Sequence, residues 1–175
     1  MRGSQIIAMA VMFVPLAISI AYIDVRYRRI PNKLVLATLI GGLCVNAFFA
    51  GWSGLLTSLG GFLAAFAMML VLHLIGTMGA GDVKLFGAIG AVIGRPLVPQ
   101  TFLIVAIIGG VLAICKMIYM RRTASTMLGV AYFFYGLLPG KKLPHVAVPK
   151  DSSLTLPYAV PICLGSLISF FLFRA

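Results

Sequence analysis

The 175-residue chain contains no glutamate and only three aspartates, Asp24, Asp82 and Asp151. Charged residues make up 10% of it, against roughly 25% in soluble globular domains. That scarcity excludes an ordinary water-soluble domain. Cysteine is equally sparse: Cys44, Cys115 and Cys163 lie far apart in apolar stretches, with no Cys-x-x-Cys pair to hold zinc or a redox disulfide. They read as small packing residues, and neither a metal site nor a cofactor is expected. What the chain does have is apolar surface: 62% of residues are hydrophobic and the mean hydropathy is +1.12. Fourteen Lys and Arg give a net charge of +11. They sit in short clusters between long apolar runs, the pattern of membrane topology rather than of nucleic-acid binding, so no nucleic-acid partner is expected.

Five segments are long and apolar enough to span a bilayer: 5–23, 34–50, 55–78, 98–120 and 153–173. A sixth, 83–97, is short and ends at Gly94-Arg95-Pro96. Charge parity argues that it crosses. With six crossings and the N-terminus outside, Arg26, Arg28, Arg29, Lys33, Lys84, Lys116, Arg121, Arg122, Lys141, Lys142 and Lys150 share the cytoplasmic side, leaving Arg2, Arg95 and Arg174 outside. With five, the 121–150 cluster moves to the far side. The expected fold is therefore all-α, a polytopic integral membrane protein of about six transmembrane helices in a single domain, 1–175. A cytoplasmic loop at about 121–152 holds an apolar stretch, 127–138, too short to cross. The first apolar run is expected to be a retained helix rather than a cleaved signal, since it is long and runs into the stop signal Arg26-Tyr27-Arg28-Arg29. No lipidation motif or internal repeat is evident. Gly60, Gly61, Ala64 and Ala65, with Gly90 and Gly94, suit close helix packing.

In a chain this poor in acids, the positions of the aspartates carry information. Asp24 ends the first helix and opens Asp24-Val-Arg-Tyr-Arg-Arg-Ile-Pro-Asn32; Asp82 closes Gly79-Ala-Gly81 and precedes Val83-Lys84-Leu85. The topology brings both to the cytoplasmic membrane face. Two carboxylates converging there can share one proton and act together as acid and base in amide hydrolysis. Each also has a plain structural role. Asp24 can pair with Arg28 one turn later, and Asp82 can cap a helix N-terminus.

Together these residues resemble the type IV prepilin peptidases, membrane aspartic peptidases of the Gly-x-Gly-Asp class. The resemblance is carried by Asp24 with Arg28, Ile30, Pro31 and Asn32, by Gly79-Ala80-Gly81-Asp82-Val83-Lys84-Leu85, and by Leu156-Pro157-Tyr158-Ala159 ahead of Gly165. It implies that Asp24 and Asp82 are the catalytic pair. It also implies that Gly79, Gly81, Lys84, Pro31 and Asn32 bind substrate or support the loop. The implied substrates are prepilins or pseudopilins in the bacterial inner membrane, cut on the cytoplasmic side. Longer members carry paired Cys-x-x-Cys motifs linked to zinc and to methylation of the new N-terminus. These 175 residues hold none and look like the short form of tight-adherence (Flp) pilus systems. Anionic lipid is the expected partner of the basic face. Oligomeric state is not legible. His73 and Asn46 read as helix-bonding or packing residues, and Asp151 as a solvated acid. Rival readings are a preflagellin-type or other intramembrane aspartic protease, a proton or cation transporter, and a non-enzymatic scaffold of a secretion machine.

Overall fold

The first helix, α1 (Arg2–Tyr27), ends where its sequence stops favouring one. Arg28 takes a left-handed backbone (φ 51°) while its N–H still bonds the Asp24 carbonyl at 2.8 Å, and Ile30 precedes a proline, which disfavours helical geometry. Pro31 then caps the next helix in extended conformation (φ −68°, ψ 119°), its carbonyl accepting from Leu34 and Val35. The computed structural model describes residues 2–76, 78–119 and 158–173, which form α1, α2 (Asn32–Leu74), α3 (Ala80–Ile93), a 3₁₀ turn (Arg95–Leu97), α4 (Val98–Tyr119) and α5 (Ala159–Phe173). All regular structure among the described residues is helical. The expected loop at 121–152, with its 127–138 stretch and Asp151, lies outside them, as do Leu156 and Pro157.

α2 is long only in sequence. Gly51 has φ 58° and ψ −141°, a conformation essentially closed to residues with a Cβ, and there the chain turns back. Asn46 and Ser58 show the reversal: both donate side-chain hydrogen bonds to the same carbonyl, Ala91 O, at 2.9 and 2.6 Å. In a straight helix, residues that far apart would be separated by roughly 18 Å. Each arm, 32–50 and 52–74, is by itself about the length needed to cross a bilayer. The expected linker at 51–54 is thus compressed to one glycine, and the second arm stops at Leu74, a turn short of residue 78.

The α2 hairpin clasps α3. Everything in α3 except Ala80, Gly81 and Lys84 is buried. At about 1.5 Å per residue it is only some 21 Å long, shorter than the hydrocarbon core. Its cover is protein, which lets it end early. Gly94 (φ 81°) breaks it and Arg95–Leu97 follow as the separate 3₁₀ turn, so the expected 83–97 segment begins sooner and ends sooner. Close approach is made by glycine. A Cβ on Gly61 would meet the Gly90 carbonyl and the backbone at Gly94 and Arg95; one on Gly90 would meet the Gly61 carbonyl; and one on Gly42 would sit 2.9 Å from Val92 N. This bears out the reading of Gly61 and Gly90 as packing positions.

Around this centre, α1 and α5 run side by side through an edge contact between Phe13 and Phe170 (centroids 6.2 Å apart). α5 also packs on the first half of α4, where Gly165 faces Val105 and the Thr101 and Ser169 hydroxyls bond at 2.6 Å. Residues 110–119, the rest of α4, belong to a second compact unit (Gly110–Leu156) and expose Val111, Ile114, Ile118 and Tyr119. Asn46 also accepts from Gln5 at 3.2 Å, tying α1 into the network around Ala91. Every buried side-chain nitrogen and oxygen among the described residues has a hydrogen-bond partner, as an apolar surrounding demands.

Gly90→Ala should destabilise the bundle by about 1–3 kcal/mol through backbone overlap with Gly61. Gly110→Ala, whose Cβ meets open space inside a helix, should be neutral or stabilise by up to about 1 kcal/mol. Helical circular dichroism during denaturation in detergent micelles measures both.

Candidate active site

Three chain segments meet at one end of the bundle: the end of α1, the Gly79-Ala80-Gly81-Asp82 turn that opens α3, and the start of α5. Asp24 sits in the last turn of α1 and keeps only 6% of its surface exposed. Its Oδ2 accepts the Ala159 backbone N–H at 3.0 Å. That amide is one of the four that the first turn of a helix leaves without an internal partner, so α5 supplies a donor and the positive end of its dipole. Arg28, one turn after Asp24, attracts the same carboxylate Coulombically. The expected i,i+4 attraction therefore acts beside the tertiary contact.

Asp82 keeps 9% exposure. It is not the cap of α3. Gly79 is the cap (φ −75°, ψ 149°), and Asp82 stands three residues later, its Oδ2 accepting the Gly79 N–H at 3.2 Å. The carboxylate thus closes its own turn, as acids at this position commonly do. The Gly79 carbonyl in turn accepts from the N–H groups of Asp82 and Val83, at 3.1 and 3.3 Å.

Two observations bring the aspartate segments together. A Cβ at Gly81 would lie 3.4 Å from Ile30 Cδ1 and 3.6 Å from Ile30 Cβ, so the Ile-Pro-Asn connection is in van der Waals range of the Gly-x-Gly-Asp turn. The charge of Asp24 also acts on Asp82, that of Asp82 acts on Tyr158, and that of Asp24 acts on Cys163. Two buried acids of like charge, each held by one backbone amide, resist joint ionisation. With one member protonated and the other ionised, the two offer both an acid and a base to a polar bond brought to this end of the bundle.

The other sequence-predicted residues divide. Pro31 caps α2 beside the turn, and Gly79 and Gly81 form it, Gly79 being exposed. Asn32 is an exposed first residue of α2. Lys84 is exposed two positions after buried Asp82, a spacing at which helix residues do not face one another. Sequence reasoning missed the Ala159 amide, because a backbone donor carries no residue signature; the Pro-Tyr segment was the available pointer to that helix start. It also expected His73 to bond a neighbouring helix. His73 instead meets the carbonyl of Met78, just ahead of the Gly-x-Gly-Asp turn, at 2.7 Å. Among the described residues no three His, Cys, Asp or Glu side chains gather as a metal-holding group.

A membrane-type helical bundle with two buried, interacting aspartates at one end is the class that fold and site define. Residues 11–114, which include both aspartates, match the model of the type IV leader peptidase family. The chain belongs to that family, and it is a membrane protein. It is 31% identical over 164 residues to the prepilin leader peptidase/N-methyltransferase of Bacillus subtilis, covering 92% of this chain and 54% of that protein. The proteins of the same name from Legionella pneumophila and Burkholderia pseudomallei (strain K96243) are each 32% identical, over 118 and 98 residues. Those alignments cover 64% and 53% of this chain, and 40% and 32% of the relatives. The chain thus spans about half the length, or less, of these relatives. No solved structure matches it significantly.

The Ile30–Gly81 approach is directly testable. Ile30→Cys with Gly81→Cys, in a background with Cys44, Cys115 and Cys163 replaced by Ala, should form a disulfide under mild oxidation, since the Cβ separation suits one. Protection of both thiols from a mass-tagging maleimide reads it. Thiols that both remain reactive after oxidation would refute the approach.

Proposed function

We propose that this chain is an aspartic endopeptidase that removes the leader peptide of prepilins or pseudopilins at the cytoplasmic face of the bacterial inner membrane. The observation that carries the reading is the pair of buried, mutually interacting carboxylates in a chain of the type IV leader peptidase family. The names of its relatives support the substrate class.

In the proposed reaction one aspartate of the pair, ionised, takes a proton from a water as that water attacks the scissile carbonyl carbon. The other, protonated, donates to the carbonyl oxygen. The tetrahedral species then collapses: the C–N bond breaks, the proton gained from water passes to the leaving nitrogen, and a hydroxyl proton of the gem-diol returns to the other aspartate as the carbonyl re-forms, restoring the pair. Because the two groups titrate as a unit, neither Asp24 nor Asp82 is assigned the proton in the resting pair. Ala159 N–H and Gly79 N–H hold the carboxylates in orientation at no cost of reorganisation during the reaction. Ile30, Pro31, Asn32 and the glycines of the turn shape the approach to the pair. The exposed Gly79 lets backbone come close.

The proposal extends to the whole chain as one membrane-embedded peptidase domain, and to the short, Flp-type form of the family. Exposed Arg26, Arg28, Arg29, Lys33 and Lys84 meet anionic headgroups on the cytoplasmic side, which also orients the site. The proposal covers cleavage alone and assigns no methylation step.

Cleavage of a co-expressed prepilin in membranes, followed by the mobility shift of the mature pilin, tests the reading. Asp24→Asn and Asp82→Asn keep size and polarity while removing the acid–base group. Each should lower the rate by at least about 10³-fold, within the range for a lost general acid or base, at parent expression and fold. Parental cleavage by either variant would refute the two-carboxylate mechanism. An uncut prepilin alongside a processed preflagellin-type signal would instead favour the archaeal-type activity, and processing of neither would leave the transporter and scaffold readings.

A further inference from the structure

We infer that His73 is a positioning residue for Asp82, acting through the single peptide unit that joins Met78 to Gly79. The inference rests on the proposed catalytic role of Asp82.

The two ends of that peptide unit are both engaged. Its carbonyl oxygen, on Met78, is 2.7 Å from His73 Nδ1, and its N–H, on Gly79, is 3.2 Å from Asp82 Oδ2. A carbonyl only accepts, so Nδ1 carries the proton and donates. The result is a three-part chain in one direction: imidazole N–H to carbonyl, then amide N–H to carboxylate. Rotation of the peptide plane about its flanking bonds breaks both links together. A donor on the carbonyl also polarises the amide and strengthens the hydrogen bond its N–H makes.

His73 is well set for this role. It lies in the last turn of α2, half-buried, five residues before the carbonyl it meets in the connection to α3. The connection leaves α2 through Ile75 N–H to Val71 O (3.2 Å) and Gly76 N–H to His73 O (2.9 Å), with Gly76 at φ 84°. Met78 returns to pack on the core. His73 therefore holds the connection at both ends: its backbone carbonyl fixes the departure and its ring fixes the arrival. The ring spans from the α2 hairpin to the start of α3, so the carboxylate is referenced to the clasp as well as to its own helix.

The test compares three variants in detergent micelles. Asn places an amide nitrogen near the position of Nδ1; Gln places it one bond further out; Leu has no donor. Leader cleavage and hydrogen exchange at the Gly79 amide are measured for each. His73→Leu should lose roughly tenfold in kcat, the worth of one ordinary hydrogen bond, with KM little changed and Gly79 exchange accelerated. His73→Asn should restore both readouts to near the parent, and His73→Gln should not. Parental kcat and Gly79 protection in His73→Leu would overturn the inference. So would equal losses in His73→Asn and His73→Gln, which is also the deciding comparison where His73→Leu does not fold. If the parent leaves prepilin uncut, the peptidase reading falls, while the exchange pattern across the three variants still decides the role of His73.

Discussion

The close, glycine-mediated embrace of α3 by the two arms of α2 is the contact on which the rest of the structure depends. An apolar environment offers little hydrophobic drive between helices, so association rests on packing and on satisfied polar groups. Gly42 and Gly61 let the arms reach the backbone of residues 90–94, and Asn46 and Ser58 both donate to the Ala91 carbonyl. The same contact explains why α3 can be short. Its surface is covered by protein along nearly all its length, so its early end at Gly94 is compatible with an apolar surrounding.

Once α3 is fixed, the position of Asp82 follows from its first turn. The carboxylate folds back to the Gly79 amide, and that amide belongs to a peptide whose carbonyl is tied to the end of α2. Asp24 is fixed differently, by its place in the last turn of α1 and by a backbone donor from α5, far away in sequence. Two acids thus reach the same region by independent supports. Both supports are backbone amides, which orient a carboxylate without removing it from acid–base chemistry. Arg28 acts on Asp24 from one turn away, at an exposed position where solvent weakens its charge.

Much of this was legible in the sequence, and for identifiable reasons. The helices are read from long apolar runs, and the turn between the arms of α2 from the gap between the 34–50 and 55–78 runs. Glycine spacing pointed correctly to close packing. Asp24 and Asp82 stand out by rarity, since two of the three acids in the chain fall at helix ends. The misjudged details share one cause. The exact ends of α2 and α3, the role of Gly79 rather than Asp82 as cap, and the partner of His73 are each decided by where a neighbouring segment happens to arrive.

By itself, then, the sequence determined that this protein is a helical membrane bundle of the leader peptidase type and singled out Asp24 and Asp82. Hydropathy, charge bias and a rare acidic motif are properties of contiguous residues. Tertiary structure alone decided which groups attend those acids. The Ala159 amide, the Met78–Gly79 peptide and the contact of Ile30 with Gly81 involve backbone atoms or distant partners, and neither leaves a periodic or compositional trace along the chain.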